Sequence, residues 1–477
     1  MTSDQFIYDV AVIGAGVVGA AIACELSRYQ LRVALVEAAS DVGTGTSKAN
    51  TAIWHTGFDS KPGTLEARLL RRSYALLEEF IPRAGVPAER LGALLIAWTE
   101  EQRQELPRLF ERAQQNGVSD VRLVSPDEVY ALESHVNQGA LGGLFVPGES
   151  ILCPFTLPLA LATEAVQNGV ALQLNHLVRE IVVGQDGTYA LPGPAGQVRC
   201  RYIVNAAGLY SDEIDRLLGH SDFTVTPRRG ELIVFDKLAR PLVNHVLLPV
   251  PTAITKGVLV SPTVYGNVML GPTAEDLSDK TATNSSAAGL KMLWEKGQAI
   301  LSALLDEEVT AVYAGLRAAT EHSDYQICLH AAQRYVCVGG IRSTGVSACL
   351  GIAEYIVQLL RDAGLTLIPK AERKLVQMPY IGETGARPYQ SEEMIKSNPS
   401  YGHIVCHCER VSQGEIEDAL RSTIPARTLD GLRRRTRVLQ GRCQGFNCHA
   451  RVADLVARTT GQSVRKVIGL EDDRAER

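Results

Sequence analysis

The chain has 477 residues, of which 45% are hydrophobic and 21% charged, as in an ordinary globular protein of two or three domains. Its net charge of −5 excludes the strongly basic surface typical of proteins that bind nucleic acid or anionic membranes. The longest uncharged apolar run, Val10–Cys24, is too short for a membrane span and contains glycines. Because no basic segment precedes it, we expect no signal peptide and a cytoplasmic protein.

The first predicted elements are a strand, a glycine turn, a helix and a second strand. The strands are predicted over Val10–Ile13 and Val33–Val36, and Gly14–Gly19 reads G-A-G-V-V-G. Glycines at this spacing permit the turn, let a pyrophosphate reach the backbone, and let the helix pack close to the strand. Glu37, 18 residues after Gly19, is placed to accept hydrogen bonds from an adenosine ribose. The motif predicts a dinucleotide site but does not separate NAD from FAD.

Three later segments return to the same kind of site. Gly45–Thr51 follows the second strand and is rich in small polar residues, and strand Tyr202–Asn205 runs into Ala206–Gly208 and a helix. Residues 335–357 repeat the strand–glycine–helix plan. This pattern resembles the D-amino-acid-oxidase-like superfamily of FAD enzymes, in which substrate-domain insertions interrupt the nucleotide domain. The resemblance implies that FAD is bound by Gly14, Ala15, Gly16, Val17, Val18, Gly19, Glu37, Ala38, Thr46, Ser47, Asn50, Thr51, Ala52, Val178, Ala206, Ala207, Gly208, Gly340, Ile341, Arg342, Ser343, Thr344 and Gly345.

Further segments resemble particular members of that superfamily. Residues 47–69, SKANTAIWHTGFDSKPGTLEARL, are similar to the flavin-facing loop of L-2-hydroxyglutarate and glycerol-3-phosphate dehydrogenases. Lys256–Asp276 resembles substrate-domain strands of the anaerobic glycerol-3-phosphate dehydrogenase catalytic subunit. Tyr313–Thr320, YAGLRAAT, resembles the superfamily's G-L-R-P segment, where the arginine holds an anionic substrate group. Ala318 stands where the family has proline, so we expect a different loop conformation there.

Four clustered cysteines near the C-terminus form a separate motif. Cys406 and Cys408 form C-x-C and, after 34 residues, Cys443 and Cys448 form C-x4-C. Ten cysteines in the chain are too few for a disulfide scaffold, and four thiolates together suit zinc or an iron–sulfur cluster. C-x-C fits the knuckles of a zinc ribbon poorly, so zinc is the weaker alternative. The intervening residues predict two short amphipathic helices, the first starting with a Ser412–Glu415 capping box.

Residues 403–460 resemble the bacterioferritin-associated ferredoxin-like [2Fe–2S] domain, which also forms the tail of anaerobic glycerol-3-phosphate dehydrogenase subunits. The resemblance implies that all four cysteines are cluster ligands. His407 and His449 lie beside them and are interpreted as neighbouring or solvent-facing groups. Seven arginines fall between Arg421 and Arg442. They indicate either a solvated helix face or a positive field that stabilises the reduced cluster or docks an acidic partner.

Chemistry is assigned to a few residues. His55 lies in the W-H-T-G loop that the resemblance places against the flavin, and it is the candidate base that removes a hydroxyl proton while hydride passes to flavin, with a structural role as the alternative. Arg317 is the candidate clamp for a carboxylate or phosphate, the alternative being a structural ion pair. Arg342, Lys256 and Tyr265 are further candidates for substrate contact.

The predicted fold class is α/β. A discontinuous Rossmann-like FAD-binding domain is expected over 1–80, 150–215 and 319–365, and an α+β substrate domain with an antiparallel sheet over 81–149 and 216–318. Residues 366–402, with four prolines, predict a linker, and 403–465 a small helical [2Fe–2S] domain.

The predicted function is FAD-dependent oxidation of a small anionic hydroxy compound, either glycerol-3-phosphate or a 2-hydroxy acid. Electrons would leave through the [2Fe–2S] cluster to a partner subunit or quinone-linked acceptor. The alternatives are an amino-acid or opine dehydrogenase subunit and a non-catalytic electron-transfer subunit. We expect an oligomer, no nucleic-acid partner, and membrane association only through a partner subunit.

Overall fold

The computed structural model describes residues 6–194, 196–251 and 257–470. The chain divides into two compact units, which we describe separately. Unit 1 is Met1–Gln377 and unit 2 is Met378–Arg477.

Unit 1 contains β-strands that belong to three sheets. They are β1 (Ile7–Ile13), β2 (Val33–Val36), β3 (Ile53–Trp54), β4 (Ala88–Glu89), β5 (Ala93–Ile96), β6 (Arg122–Val124), β7 (Gly143–Val146), β8 (Ser150–Leu152), β9 (Ala171–Gln173), β10 (Val182–Val183), β11 (Tyr189–Gly193), β12 (Gly196–Asn205), β13 (Thr226–Phe235), β14 (Val246–Pro249), β15 (Leu259–Pro262), β16 (Val268–Gly271), β17 (Glu275–Asp276), β18 (Val309–Ala319), β19 (Gln326–His330) and β20 (Tyr335–Gly339).

The helices of unit 1 cover the sheets. They are α1 (Val17–Leu26), α2 (Leu65–Ala84), α3 (Glu100–Gln115), α4 (Pro126–Leu132), α5 (Thr156–Gln167), α6 (Ser211–Leu217), α7 (Ala287–Ile300) and α8 (Gly345–Asp362). Local sequence fixes several ends: Thr64 caps α2 through the Ala67 N–H, and Gly85 ends it with φ of 70°. Thr99 and Ser125 start α3 and α4 with capping boxes.

An eight-stranded sheet forms the nucleotide-binding part. Its parallel strands lie in the order β20-β12-β1-β2-β9, and β10, β11 and β19 extend it as antiparallel strands. Helices α1, α5, α8 and α2 pack against one another beside it. The predicted strand Val33–Val36 is confirmed, while β1 starts three residues before the predicted Val10. This is the predicted Rossmann-like arrangement, with the parallel strands ending at one edge.

A nine-stranded, mainly antiparallel sheet forms the second part of unit 1. Its order is β17-β13-β16-β15-β14-β5-β7-β6, with β18 on β13. The strands come from residues 93–146 and 226–319, which lie within the stretches predicted for the substrate domain except for the last residue of β18, and their core includes Phe235, Leu270 and Leu293. A small sheet, β3-β8-β4, completes the unit. The antiparallel substrate sheet is confirmed, whereas the domain boundaries remain predictions.

Unit 2 is small and mostly helical. Its elements are α9 (Glu392–Ser397), β21 (Ile404–Cys406), β22 (Val411–Ser412), α10 (Gln413–Arg421), α11 (Leu429–Thr436), α12 (His449–Thr460) and α13 (Val464–Val467). The Ser412–Glu415 capping box is present as predicted. Cys406 and Cys448 are buried in the core together with Ile416, Leu432 and Val452, so the cysteine motif is part of the packing of this unit.

The segment predicted as a linker is divided between the units and is packed in both. In unit 1, the Lys370 N–H donates to the Arg28 carbonyl. In unit 2, Arg387 donates from Nε and Nη2 to Oε1 of Glu415, at 2.9 and 2.5 Å, in a buried ion pair. Prolines indicate irregular backbone, and side chains can still anchor such backbone within each unit. The linker interpretation of residues 366–402 remains a prediction.

None of the helices in the described ranges combines the length and apolar character needed to cross a bilayer.

Candidate functional site

The glycine turn after β1 forms a tight cradle. Gly14 has φ of +101°, and a Cβ there would lie 2.5 Å from the Ala206 carbonyl oxygen. A Cβ on Gly19 would lie 1.8 Å from the Gly14 oxygen. Gly16, the N-cap of α1, has no side chain and makes no side-chain cap hydrogen bond. A glycine at this place lets a pyrophosphate approach the backbone at the start of the helix.

Hydrogen-bond acceptors and donors next to this turn suit the parts of a dinucleotide other than its pyrophosphate. The Glu37 carboxylate, at the end of β2, accepts the N–H groups of Ala15 at 2.7 Å and Ala39 at 2.9 Å, and burial raises its pKa. Each carboxylate oxygen has a second acceptor site, which leaves Glu37 able to accept ribose hydroxyls. The Ser47 hydroxyl accepts the Val17 N–H at 2.9 Å and so joins the loop after β2 to the start of α1.

The polar loop over residues 45–52 is held by its own side chains and by β18. Asn50 donates to the Ser47 carbonyl and accepts the Ala52 N–H, and Ala52 has φ of 57°. Thr46 donates to the Leu316 carbonyl at 2.8 Å. Gly315 lies so close that a Cβ there would be 2.1 Å from the Ala49 oxygen. The loop and β18 therefore form one surface.

The remaining predicted FAD contacts also follow parallel strands. Ala38 follows β2, Ala206, Ala207 and Gly208 follow β12, and the run from Gly340 to Gly345 follows β20, so all lie where the parallel strands end. Val178 is buried in the core beside β1 and β2. Ligands of open parallel sheets bind at this edge, and the residues present fit FAD.

His55 follows β3 and is held at both its backbone and its ring. Its Nδ1 lies 2.9 Å from Oε2 of Glu149, a carboxylate with no exposed side-chain surface. The other oxygen of Glu149 accepts the N–H and the hydroxyl of Thr56, both at 2.7 Å. The His55 N–H donates to the hydroxyl of Ser347 in α8 at 2.9 Å. A quarter of the His55 side chain is exposed, so the ring is fixed and still accessible.

Arg317 lies in β18 directly after Leu316, which holds the polar loop. Within the described residues its guanidinium donates to two backbone carbonyls, Thr273 at 2.5 Å and Arg229 at 3.4 Å, and no carboxylate lies within ion-pair distance. Burial lowers the pKa of Arg317 to about 10, with the Arg228 charge adding to the effect. The side chain therefore remains a cation at neutral pH. Ala318 lets β18 continue through the position of the family proline, opposite Pro227.

The other predicted substrate residues are placed differently. Arg342 donates to Glu66 at 3.3 Å and to the Ser323 carbonyl at 2.6 Å. Tyr265 is buried, and its hydroxyl lies 2.8 Å from the sulfur of Cys153. Lys256 lies outside the described residues. Substrate contact by these three residues remains a prediction.

In unit 2 the four cysteine side chains come together from both ends of the sequence motif. Cys443 is close enough to Cys408 to help raise its pKa, and Cys406 does the same to Cys448. The two pairs also interact electrostatically, since Cys406 acts on Cys408 and Cys443 acts on Cys448. Gly441 makes this approach possible, because a Cβ there would lie 2.2 Å from the Cβ of Cys408.

Backbone N–H groups surround the sulfur atoms. The Asn447, Gly445 and Phe446 amides lower the pKa of Cys443, the Asn447 amide most strongly. Such donors favour thiolate, the form that binds metal. Within the described residues no three His, Cys, Asp or Glu side chains are spaced as ligands of one metal ion. Four cysteine thiolates are the ligand set of a [2Fe–2S] cluster, which these residues would hold.

The neighbouring arginines and histidines have distinct environments. Arg434, Arg435 and Arg437 are buried, and Arg435 donates to the carbonyls of Ile424 and Gly431. The interpretation as a solvated helix face is wrong for these three arginines, because their side chains satisfy backbone and carboxylate acceptors inside the unit, whereas Arg421, Arg427 and Arg442 are exposed. His407 and His449 are exposed.

Comparisons with known proteins agree with both sites. The family of FAD dependent oxidoreductases matches residues 9–359, and the BFD-like [2Fe-2S] binding domain matches residues 404–458. The chain belongs to the FAD-dependent oxidoreductase family. It is an enzyme that uses FAD and carries a [2Fe–2S] domain, and the zinc alternative is not supported.

Three similar proteins extend the comparison. The glycerol 3-phosphate dehydrogenase of Caloramator mitchellensis is 37% identical over 465 residues, which cover 96% of each chain. The dithionite-reduced, FAD-bound L-alpha-glycerophosphate oxidase of Mycoplasma pneumoniae is 32% identical with a TM-score of 0.75, covering 79% of this chain and 100% of that one. The mitochondrial L-2-hydroxyglutarate dehydrogenase of Caenorhabditis elegans is 30% identical over 276 residues, which cover 56% of this chain and 63% of the relative.

Sequence reasoning missed two residues of the site, Glu149 and Ser347. Glu149 is the only charged residue between the apolar runs Gly143–Val146 and Ile151–Cys153, and an isolated charge in such a context is a signal of a buried polar contact. Ser347 carries no comparable signal, because a serine among small residues near the start of a helix is common.

Proposed function

We propose that the protein is a dehydrogenase that oxidises glycerol-3-phosphate and passes the electrons out through its [2Fe–2S] domain. The observation that carries the proposal is the extent of the similarity. A relative named as a glycerol 3-phosphate dehydrogenase matches 96% of the chain, whereas the oxidase structure matches 79% of it over the oxidase's whole length. About a fifth of this chain therefore has no counterpart in that oxidase structure, as expected if the additional part carries electrons to an acceptor other than oxygen.

The residues of unit 1 supply binding and proton transfer. Arg317 holds the anionic phosphate, because a buried guanidinium without a carboxylate partner gains charge-assisted hydrogen bonds from it. His55 accepts the proton of the substrate hydroxyl, since its ring is fixed at Nδ1 and partly exposed. FAD, when bound, accepts the hydrogen of the adjacent C–H bond together with its electron pair.

The residues of unit 2 supply the exit for electrons. We assign Cys406, Cys408, Cys443 and Cys448 as the ligands of the cluster. A [2Fe–2S] cluster carries electrons one at a time. Cys408 and Cys443 are partly exposed while the other two are buried. Phe446, between two of the ligands, is 89% exposed, as expected for a surface that contacts an electron-accepting protein.

A 2-hydroxy acid is the second candidate substrate. The L-2-hydroxyglutarate dehydrogenase relative supports it, and a carboxylate would fit Arg317 as well as a phosphate does. An amino acid or opine is the third candidate, since an amine can replace the hydroxyl in the same chemistry. The similarity to L-2-hydroxyglutarate dehydrogenase covers only 56% of the chain, which places glycerol-3-phosphate first.

The test is anaerobic reduction of the purified protein with a panel of substrates. Glycerol-3-phosphate is expected to bleach the flavin absorption and to produce the EPR signal of a reduced [2Fe–2S] cluster, while L-2-hydroxyglutarate and amino acids leave both unchanged. If a different compound bleaches the flavin, that compound replaces glycerol-3-phosphate as the proposed substrate. If no compound bleaches it, the result would support a non-catalytic electron-transfer subunit.

A cysteine variant separates the two sites. In C443S/C448S, glycerol-3-phosphate should still bleach the flavin, but reduction of a protein acceptor such as cytochrome c should be lost because the cluster is missing. The matched control is C328S, which replaces an exposed cysteine of unit 1. Undiminished reduction of cytochrome c by C443S/C448S would contradict the assigned exit.

A further inference from the structure

Glu149 is a fully buried carboxylate with a specific set of partners. Its side chain has no exposed surface, and in the described part of the chain the one basic group within ion-pair distance is the imidazole of His55. A buried carboxylate without arginine or lysine is costly, so its retention requires strong hydrogen-bond donors. Thr56 supplies two of these donors and His55 the third.

The hydrogen-bond pattern determines which nitrogen of His55 carries the proton. Because Oε1 of Glu149 already accepts both donors of Thr56, the carboxylate cannot rotate away from the ring. An ionised carboxylate only accepts hydrogen bonds, so Nδ1 of His55 must be the N–H. Nε2 then has the lone pair that can accept a proton. The Ser347 hydroxyl fixes the backbone of His55 and itself donates to the Ile53 carbonyl at 3.1 Å.

Among the described residues, the other titratable groups around the pair do not take over this role. From α2, Tyr74 donates to the Gly148 carbonyl at 2.8 Å, and burial raises its pKa to about 12, so it is neutral at physiological pH. Arg90 stacks on the Trp54 ring and pairs with Glu78 at 2.7 Å, and Asp120 acts on Tyr74 only electrostatically. From α8, the contact is the hydroxyl of Ser347.

We propose that Glu149 is a positioning residue that holds His55 in the Nδ1–H tautomer and stabilises the imidazolium formed during the reaction. In the step, the substrate hydroxyl proton moves to Nε2 of His55, and FAD, when bound, would take up the hydrogen of the adjacent C–H bond together with its electron pair. The substrate thereby loses two electrons and gains a C=O bond. This inference rests on the proposed function and adds the group that prepares the base.

The substitution Glu149→Gln tests the proposal because it preserves shape while reversing one hydrogen bond. The amide oxygen would stay with the two donors of Thr56, so the amide NH2 would face Nδ1 of His55 and donate to it. The ring would then carry its proton on Nε2 and could not accept another there. We expect kcat to fall at least about tenfold with KM changed less than about threefold.

A second readout does not depend on turnover. In protein labelled with 15N-histidine, the ring nitrogen shifts of His55, assigned by their loss in H55N, report the tautomer of the resting enzyme. We expect Nδ1–H in the wild type and Nε2–H in E149Q. E149D, which keeps the charge but shortens the side chain, should retain Nδ1–H with an intermediate kcat, and it replaces E149Q if that variant does not fold.

The matched control is Glu133→Gln, which alters a second buried glutamate that contacts His245. E133Q should leave kcat unchanged, so a general loss of stability is separated from loss of positioning. Wild-type kcat in E149Q or E149D, or an unchanged His55 tautomer in E149Q, would overturn the proposal. If H55N keeps full activity, the base is elsewhere while the dehydrogenase function stands, and an absence of substrate reduction in the wild type would reject the function itself.

Discussion

Two buried glutamates in unit 1 hold histidines in almost the same way. Glu149 lies 2.9 Å from Nδ1 of His55, and Glu133 lies 2.8 Å from Nδ1 of His245. Neither carboxylate has exposed side-chain surface, and the two histidine side chains are 25% and 16% exposed. Distance and burial alone would assign both pairs the same role.

The surroundings of the two pairs differ. Glu133 follows α4, and its Oε1 accepts the backbone N–H groups of Asn244 and His245 as well as the imidazole. The carboxylate thereby anchors the chain before β14, and Phe145 contacts the His245 ring edge-on at 5.4 Å. In the other pair one oxygen of Glu149 serves the imidazole and the other serves Thr56.

The position in the fold explains this difference. His55 continues from the loop that β18 and α1 hold at the nucleotide-binding edge, whereas His245 lies in the substrate sheet between a helix end and a strand. We therefore expect a catalytic role for the pair at the nucleotide-binding edge and a structural role for the other.

The largest effect on turnover should come from replacing His55, with His245 as the comparison. His55→Asn is expected to reduce turnover at least ~10²-fold without loss of FAD, because it removes the proton acceptor and keeps a polar side chain of similar size. His245→Asn should change turnover less than about twofold. Steady-state kinetics and the flavin absorption of both purified variants measure this; equal losses in the two would abolish the distinction between the pairs.

The next effect concerns Arg317, the proposed clamp for the anionic group of the substrate. Arg317→Met should lower kcat/KM about 30- to 100-fold, since a charge-assisted clamp worth ~2–3 kcal/mol is lost. Arg317→Lys, the matched control, retains the charge without the bidentate geometry and should lose less. The measurement is kcat/KM for glycerol-3-phosphate, and a normal value in R317M would show that the anion binds elsewhere.

Replacing Glu133 of the second pair should change the stability of the protein rather than its turnover. Glu133→Gln is expected to lower the free energy of unfolding by ~1–3 kcal/mol, because the three hydrogen bonds to Oε1 lose their charge assistance and an NH2 donor replaces Oε2, which also accepts the Asn244 N–H. Urea unfolding of the FAD-loaded protein measures the change. Unchanged stability together with reduced turnover would mean that Glu133, too, acts in the reaction.

The smallest expected effect is the change of KM with pH. Burial lowers the pKa of Arg317 to about 10, so the clamp is fully charged at pH 7 to 8 and loses charge as the pH rises towards 10. KM for glycerol-3-phosphate should therefore rise a few-fold between pH 8 and 10 in the wild type. In R317M the same increase should be absent, and an identical increase there would assign it to another group.

Sequence alone determined the parts of this protein that depend on local pattern. The glycine cradle at residues 14–19, strand Val33–Val36, the capping box at Ser412 and the cysteine motif are each set by residues close together in the chain. These patterns require positive φ angles, free N–H groups or paired thiols. Few other residue types could meet those requirements at the same positions. Fold class and cofactors followed from these patterns together with family resemblance.

Tertiary structure decided what depends on long-range pairing. Glu149 meets His55 across 94 positions and Ser347 meets it across 292, and no periodicity in the sequence predicts such contacts. The packing of residues 378–402 in unit 2 and the burial of Arg435 likewise arise because distant groups offer acceptors. Family resemblance of one loop suggested His55 as the candidate base, whereas only the fold shows the buried carboxylate beside it.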